Sequence, residues 1–255
     1  MSNVLAIAQK ELKAYFASPI AYIVIGFFAL LFGYFFIALL IFFERQSMQM
    51  MGMMGADATM NVNQQLIRPL FMNASVIALF VLPMITMRTY AEEKRSGTIE
   101  LLLTAPLTDV QIVLGKFVGA MALYAAMLAI TLVHIGVLFL YGNPEWRPIA
   151  TGYLGLLLMG GCFVSVGLLI SSFTRNQIVA GMVTFAVFLL LWVINWVGTF
   201  FPTVEPVLNY LSITDHLDDF TRGVLDTKHL VYYTSFILFG LFLTVRSVET
   251  ERWRG

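Results

Sequence analysis

The chain has 255 residues, 59% hydrophobic and 12% charged, where an average soluble domain is about 25% charged. Fifteen basic and fifteen acidic side chains cancel, so no global positive field points to nucleic acid, and the single cysteine, Cys162, excludes an internal disulfide. Several apolar runs exceed the roughly 18 residues that mark a spanning helix, which excludes a soluble domain with a large core.

Residues 1–18 read as an amphipathic helix. In VLAIAQKELKAYFASP, Val4, Leu5, Ile7, Ala8, Leu12, Tyr15 and Phe16 share one arc, and Asn3, Gln9, Lys10 and Lys13 the opposite one. Glu11, at the edge of the apolar arc, is the one poor fit. Ser18 before Pro19 is pushed out of helical geometry, so this helix should stop there and lie along the membrane interface. It precedes an apolar run too long for a signal-peptide core, which should stay as an uncleaved anchor.

Six spans follow, near 20–43, 69–87, 117–141, 149–173, 178–201 and 230–245, the last short enough to require little tilt or a thinner bilayer. With the N-terminus inside, Lys10, Lys13, Arg88, Lys94, Arg95, Lys116, Arg175, Arg246, Arg252 and Arg254 are cytoplasmic. Arg45, Arg68, Arg147, Arg222 and Lys228 are outside. Ten against five favours that orientation and puts both termini in the cytoplasm.

The first outer loop, 44–68, carries Met48, Met50, Met51, Met53, Met54 and Met60. Thioethers suit Cu(I), but methionine also fills flexible apolar surface, and no Cys or His accompanies the cluster.

The inner loop, 88–116, concentrates charge at Arg88, Glu92, Glu93, Lys94, Arg95 and Glu100, directly around Ile99, Leu101, Leu102 and Leu103. Gly97 breaks a helix, Thr98 to Leu103 allows one or two turns, and Pro106 ends them. Thr108-Asp-Val-Gln111 reads as a capping box that restarts a helix into the third span. The apolar side chains must be buried somewhere, either beneath their own bundle or in a groove on a partner. As a partner surface, Glu92, Glu93, Lys94, Arg95 and Glu100 would rim an apolar anchor.

Gly115, Gly119, Ala122 and Ala126 lay a small-residue stripe on the third span, and Gly160, Gly161 and Ser165 begin another on the fourth. Both permit close helix packing, within one chain or between two. His134 and Asn195 are the main strongly polar side chains in the spans, both toward the outer half, and His134 reads as a hydrogen-bonded interhelical histidine. Trp192 and Trp196 suit an aromatic belt. In the second outer loop, 202–229, Thr214 can cap a short helix whose Leu217, Phe220 and Val224 share a face; Asp215, His216, Asp218 and Asp219 then belong to its first turns rather than to a metal site.

Energy must come from elsewhere. No G-x-x-x-x-G-K-[ST] occurs, since Gly115-Lys116 is followed by Phe117, and neither H-E-x-x-H nor G-x-S-x-G appears.

The run E-E-K-R-S-G-T-I-E-L-L-L-T-A-P-L-T, followed by L-G-K-F, resembles the segment between the second and third spans of type-2 ABC transporter permeases. The similarity is to the small permeases grouped with gliding-motility-type and copper-site-assembly-type systems. It extends to the N-terminal helix, the six spans and the outer D-H-L-D-D-F-T-R-G-V-L-D. The resemblance implies an all-α membrane protein, a single permease domain over 1–255 in the bacterial inner membrane. In that family the inner loop carries a coupling helix that docks on an ATPase subunit, so Glu92 to Arg95 and Gly97 to Leu103 would form that contact. Two ATPase copies would hold ATP and Mg, leaving this chain without cofactor, metal or catalytic residue. A second permease copy, as a homodimer, and an auxiliary subunit with a periplasmic domain are further implied partners. Leu217, Phe220 and Val224 would sit at an outer gate. Export, or conformational work passed to an extracytoplasmic partner, is the implied function, and an ATP-independent channel or scaffold is the alternative.

Overall fold

The computed structural model of the chain describes residues 3–54, 60–201 and 203–254. Among them are only helices and their connections: α1 (Asn3–Ala17), α2 (Pro19–Met54), α3 (Arg68–Thr86), α4 (Ala91–Ser96), α5 (Thr98–Thr104), α6 (Asp109–Tyr141), α7 (Trp146–Phe173), α8 (Gln177–Phe200), α9 (Glu205–Leu211), α10 (Ile213–Thr221) and α11 (Thr227–Arg254). A π-helical turn, Asn63–Ile67, leads into α3. Six of these helices are long and apolar enough to cross a membrane, so the fold is that of an all-α multi-pass membrane protein.

Two helices outrun the expected spans. α2 continues through Glu44 to Met54, taking most of what read as the start of an outer loop, because nothing from Glu44 to Met51 breaks a helix and Gly52 alone is insufficient. Met48, Met50 and Met51 are exposed along it, while the side chains of Met53 and Met54 lie outside the described ones. α11 extends well past its apolar run. Its charged end is held helical by Arg246 paired with Glu249 at 2.8 Å and by contacts to other helices described below.

The bundle is built around α7. A Cβ added at Gly152 would run into Phe71 of α3, one at Gly160 into Tyr124 of α6, and one at Gly155 would sit 2.8 Å from Phe220 Cβ of α10. Missing side chains on three faces let three helices approach α7 closely. Behind them Phe163 stacks on Phe188 of α8 with centroids 4.2 Å apart. By contrast α2 and α8 leave most of their apolar surface uncovered, including Leu30, Tyr34, Ile178 and Met182. The small residues on α7 therefore serve packing within the chain.

His134 differs from expectation. It sits edge-on between Phe32 and Phe36, centroids 5.4 and 5.2 Å away, and its Nδ1 has no hydrogen-bond partner among the described residues. The Asn195 side chain lies outside the described ones.

Gly160→Leu should force Tyr124 aside and destabilise the bundle by about 1–3 kcal/mol, whereas Gly26→Ala, whose Cβ would meet nothing within 4 Å, should leave the melting temperature unchanged. Thermal melts of the purified variants read both, and equal melting would contradict the central position of α7.

Candidate functional site

At one end of the bundle the chain between α3 and α6 folds into two short helices. Gly97 joins them at φ 73°, ψ 2°, a left-handed conformation costly for any residue with a Cβ. Ala105 is extended ahead of Pro106, which ends α5. Thr108 then caps α6 with the expected capping box: its hydroxyl accepts from the Gln111 amide at 3.3 Å and the Gln111 side chain accepts from the Thr108 amide.

What holds this hairpin is a buried charge cluster. Lys116 on α6 is 0% exposed, and its Nζ lies 3.0 Å from Glu11 Oε1 of α1 and 2.9 Å from Glu93 Oε2 of α4. The same ammonium donates to the Thr89 carbonyl at 3.0 Å and stands 4.9 Å above the Tyr90 ring. Lys10 completes the group, 2.7 Å from Glu93 Oε1 and 3.3 Å from Glu11 Oε1. Two ammonium groups thus meet two carboxylates, and the cluster is neutral as a whole. A buried ammonium is tolerated only where partners replace its hydration this completely.

Backbone fit brings the partners together. A Cβ at Gly115 would lie 2.6 Å from Ile7 Cβ, and one at Gly119 would lie 2.9 Å from Glu11 Cβ and 3.3 Å from the Ala8 carbonyl. Glycine at those two positions lets α1 lie directly on α6, with Lys116 between them. Ala122, further along, is half-buried and Ala126 is exposed, so the α1 contact uses only the first half of the stripe.

Other helices secure the same hairpin. Ser171 of α7 accepts from the amides of Tyr90 and Ala91, both at 3.1 Å, and donates to the Met87 carbonyl. From α11, Glu251 pairs with Lys94 at 3.1 Å, and Arg252 meets Asp109 at 2.9 Å and the Leu107 carbonyl at 3.1 Å. Arg88 forks onto Glu92 at 2.8 and 3.1 Å.

The expected anchor and rim are accordingly rearranged. Ile99 is 7% exposed and belongs to the chain's own core, Leu102 packs half-buried against it, and Leu101, 73% exposed, points away. The Leu103 side chain lies outside the described ones. Glu93 and Lys94 face inward as ties, whereas Arg95, Thr98 and Glu100 stay exposed. Beside them opens a cleft of about 1030 Å³ lined by Arg95, Gly97, Glu100, Phe173, Arg175 and Arg252. It holds no nucleophile paired with a base. Among the described side chains the surface offers a projecting leucine, charges of both signs and a concave neighbour, an arrangement that suits docking.

Sequence reasoning missed the cluster. Two signals were present: Glu11 on an otherwise apolar arc, and Lys116 inside the glycine stripe that this arc covers.

At the opposite end, α10 starts one turn boundary earlier than expected. Ser212, not Thr214, caps it, accepting from the Asp215 amide at 3.3 Å. Leu217 and Phe220 are both fully buried against α7, while Val224 is half exposed beyond the helix, so the three share no common surface. Arg68 of α3 forks onto Asp218 at 2.7 and 3.0 Å. A second cleft of about 480 Å³ lies between α3, α8 and α10, lined by Asn73, Ser75, Trp192, Trp196, Thr214 and Asp215. The two indoles meet edge to face at 5.5 Å.

Comparison with known proteins adds to this geometry. A family model described as "ABC-2 family transporter protein" matches residues 5–248. The probable multidrug ABC transporter permease YbhR of Escherichia coli strain K12 is 36% identical over 93 residues, 36% of this chain and 25% of that protein. YbhR of Escherichia coli O157:H7 matches to the same extent. The matched stretch therefore spans about a quarter of the length of these relatives.

Lys116→Met should leave two carboxylates to share the half-exposed Lys10 and cost up to about 3–5 kcal/mol. Adding Glu11→Gln should cost less than the sum of the single changes, a coupling that thermal melts of the single and double variants measure. Strict additivity would contradict the cluster.

Proposed function

The chain belongs to the ABC-2 transporter family and is a transporter membrane subunit, and from that premise we propose that a separate ATPase docks on α5 and drives the bundle from there. The observation that carries this reading is the division of labour in the hairpin. Leu101 projects outward beside Arg95 and Glu100, while Glu93, Lys94 and Ile99 reach inward to the rest of the bundle. A load applied to α5 would then pass to α6 and α1 through Lys116, to α7 through Ser171 and to α11 through Glu251 and Arg252.

In the assembly we envisage, two ATPase copies bind ATP and Mg, and two copies of this chain form a homodimer. The apolar faces of α2 and α8 that the single chain leaves uncovered would be shared between lipid and the second copy. The α4–α5 end would face the cytoplasm of a bacterium with both termini beside it, in keeping with the distribution of lysine and arginine. α3 and α8 would border the pathway, with Trp192, Trp196 and the cleft above them as its contact with an exported hydrophobic compound. Passing conformational work to an auxiliary subunit with a periplasmic domain would use the same linkage.

Leu101→Asp should abolish co-purification of the ATPase while leaving insertion and melting temperature of the permease unchanged, because the side chain contributes nothing to its own core. Leu102→Asp should lower the melting temperature as well. Undiminished complex formation by Leu101→Asp would refute docking at α5.

A further inference from the structure

Far from the α4–α5 end, two histidines that are thirteen residues apart meet inside the junction of α9, α10 and α11. His216 of α10 is 4% exposed and His229 of α11 is 3% exposed. Their Nδ1 atoms face one another in direct hydrogen-bond contact. The outer nitrogens end on acceptors: His216 Nε2 is 2.9 Å from the Tyr210 carbonyl of α9, and His229 Nε2 is 2.8 Å from Asp219 Oδ2 of α10. The Tyr232 ring stacks on His216 with centroids 3.9 Å apart, fixing its plane. The Tyr232 and Tyr233 hydroxyls donate to the carbonyls of Leu211 and Ile213 at 2.8 and 2.7 Å.

The four groups form one hydrogen-bonded line. It runs from a carbonyl oxygen through two imidazoles to a carboxylate, with three contacts, and each contact needs one hydrogen. Two neutral imidazoles carry one each. A carbonyl can only accept, so the third hydrogen must come from an additional bound proton, whether it resides on a ring or on the carboxyl. With it, the three side chains sum to zero charge. Without it, a lone pair faces a lone pair at one contact of two buried rings, and the three side chains carry a net negative charge centred on Asp219, whose side chain is 37% exposed.

We propose that His216, His229 and Asp219 form one proton-binding site, and that the bound proton clamps α9 and α10 to the start of α11. Direct contact between the two Nδ1 atoms leaves no room for a metal ion between them. The neighbouring charges are committed elsewhere: Asp218 to Arg68 and Arg222, and Lys228 to Asp226. Burial, foremost, with His229 and Lys228, holds His216 below the usual histidine range against the opposing pull of the Tyr210 carbonyl and Asp215. The Tyr210 carbonyl can only accept, so His216 donates to it through Nε2 and accepts from His229 through Nδ1. With the added hydrogen on the rings, His229 donates from both nitrogens, to His216 and to Asp219. This site senses the pH of whichever compartment the α9–α10 end faces, and it stands whether or not an ATPase docks at α5.

The chain has three histidines, so solid-state nitrogen spectra of histidine-labelled full-length protein in liposomes resolve the pair once His134→Gln identifies the third. On the acidic side of the site's titration three of the four ring nitrogens of His216 and His229 should carry hydrogen, and one hydrogen should leave in a single step that both rings report as pH rises. Deuterium uptake by the amides of 205–229 should rise across the same step. Asp219→Asn should move the step to lower pH, requiring at least about tenfold more protons. Ring spectra with no common step at any pH, or two independent titrations with unchanged uptake, would overturn the proposal. Should Asp219→Asn not fold, the count in the unaltered protein decides alone.

Discussion

An ammonium group sealed from solvent sets the terms for the α4–α5 end of this bundle. Lys116 has no water to turn to, so Glu11, Glu93 and the Thr89 carbonyl must remain within about 3 Å of it. Those three groups belong to α1, to α4 and to the last turn after α3. Neither α1 nor α4 can leave α6 without exposing an unpaired buried charge, an outcome costing several times what a lost apolar contact costs. Lys10 bridges the same two carboxylates from outside. The result is a joint between three elements that apolar packing alone would leave free to slide.

The rest of the architecture distributes what that joint collects. α7 reaches from Ser171, which grips the start of α4, to Thr151, whose hydroxyl donates to the Phe220 carbonyl of α10 at 2.6 Å. Its close contacts with α3, α6 and α10 make it one rigid member joining both ends. In the proposed assembly, motion imposed at α5 would travel along this member to the α9–α10 junction, where the two histidines and Asp219 sit.

Much of this was legible beforehand. Six spans follow from apolar run length alone, and the breaks at Gly97 and Pro106 and the capping box at Thr108 follow from backbone chemistry that is local to a few residues. Helix ends that depend on distant partners were not legible: α11 runs through Glu249 to Arg254, helped by Lys94 and Asp109 supplying counter-charges from elsewhere in the chain. The two ion clusters failed for the same reason. Glu11 and Lys116 are 105 residues apart, and His216 and His229 look unrelated until α10 and α11 fold against each other. A leucine-rich turn announces burial without saying in what, beneath its own bundle or on a partner, and the chain's own core claims Ile99 and part of Leu102.

In the proposed assembly α1, α4–α5 and the adjoining half of α6 would move as one body about Lys116. Spin labels at the exposed positions Lys13 and Arg95, in the permease assembled with its ATPase, measure it directly through their separation with and without ATP. One distance distribution unchanged by nucleotide, and broadened when Lys116→Met is introduced, is the expected result. A nucleotide-dependent change of separation in the protein with Lys116 intact would contradict it.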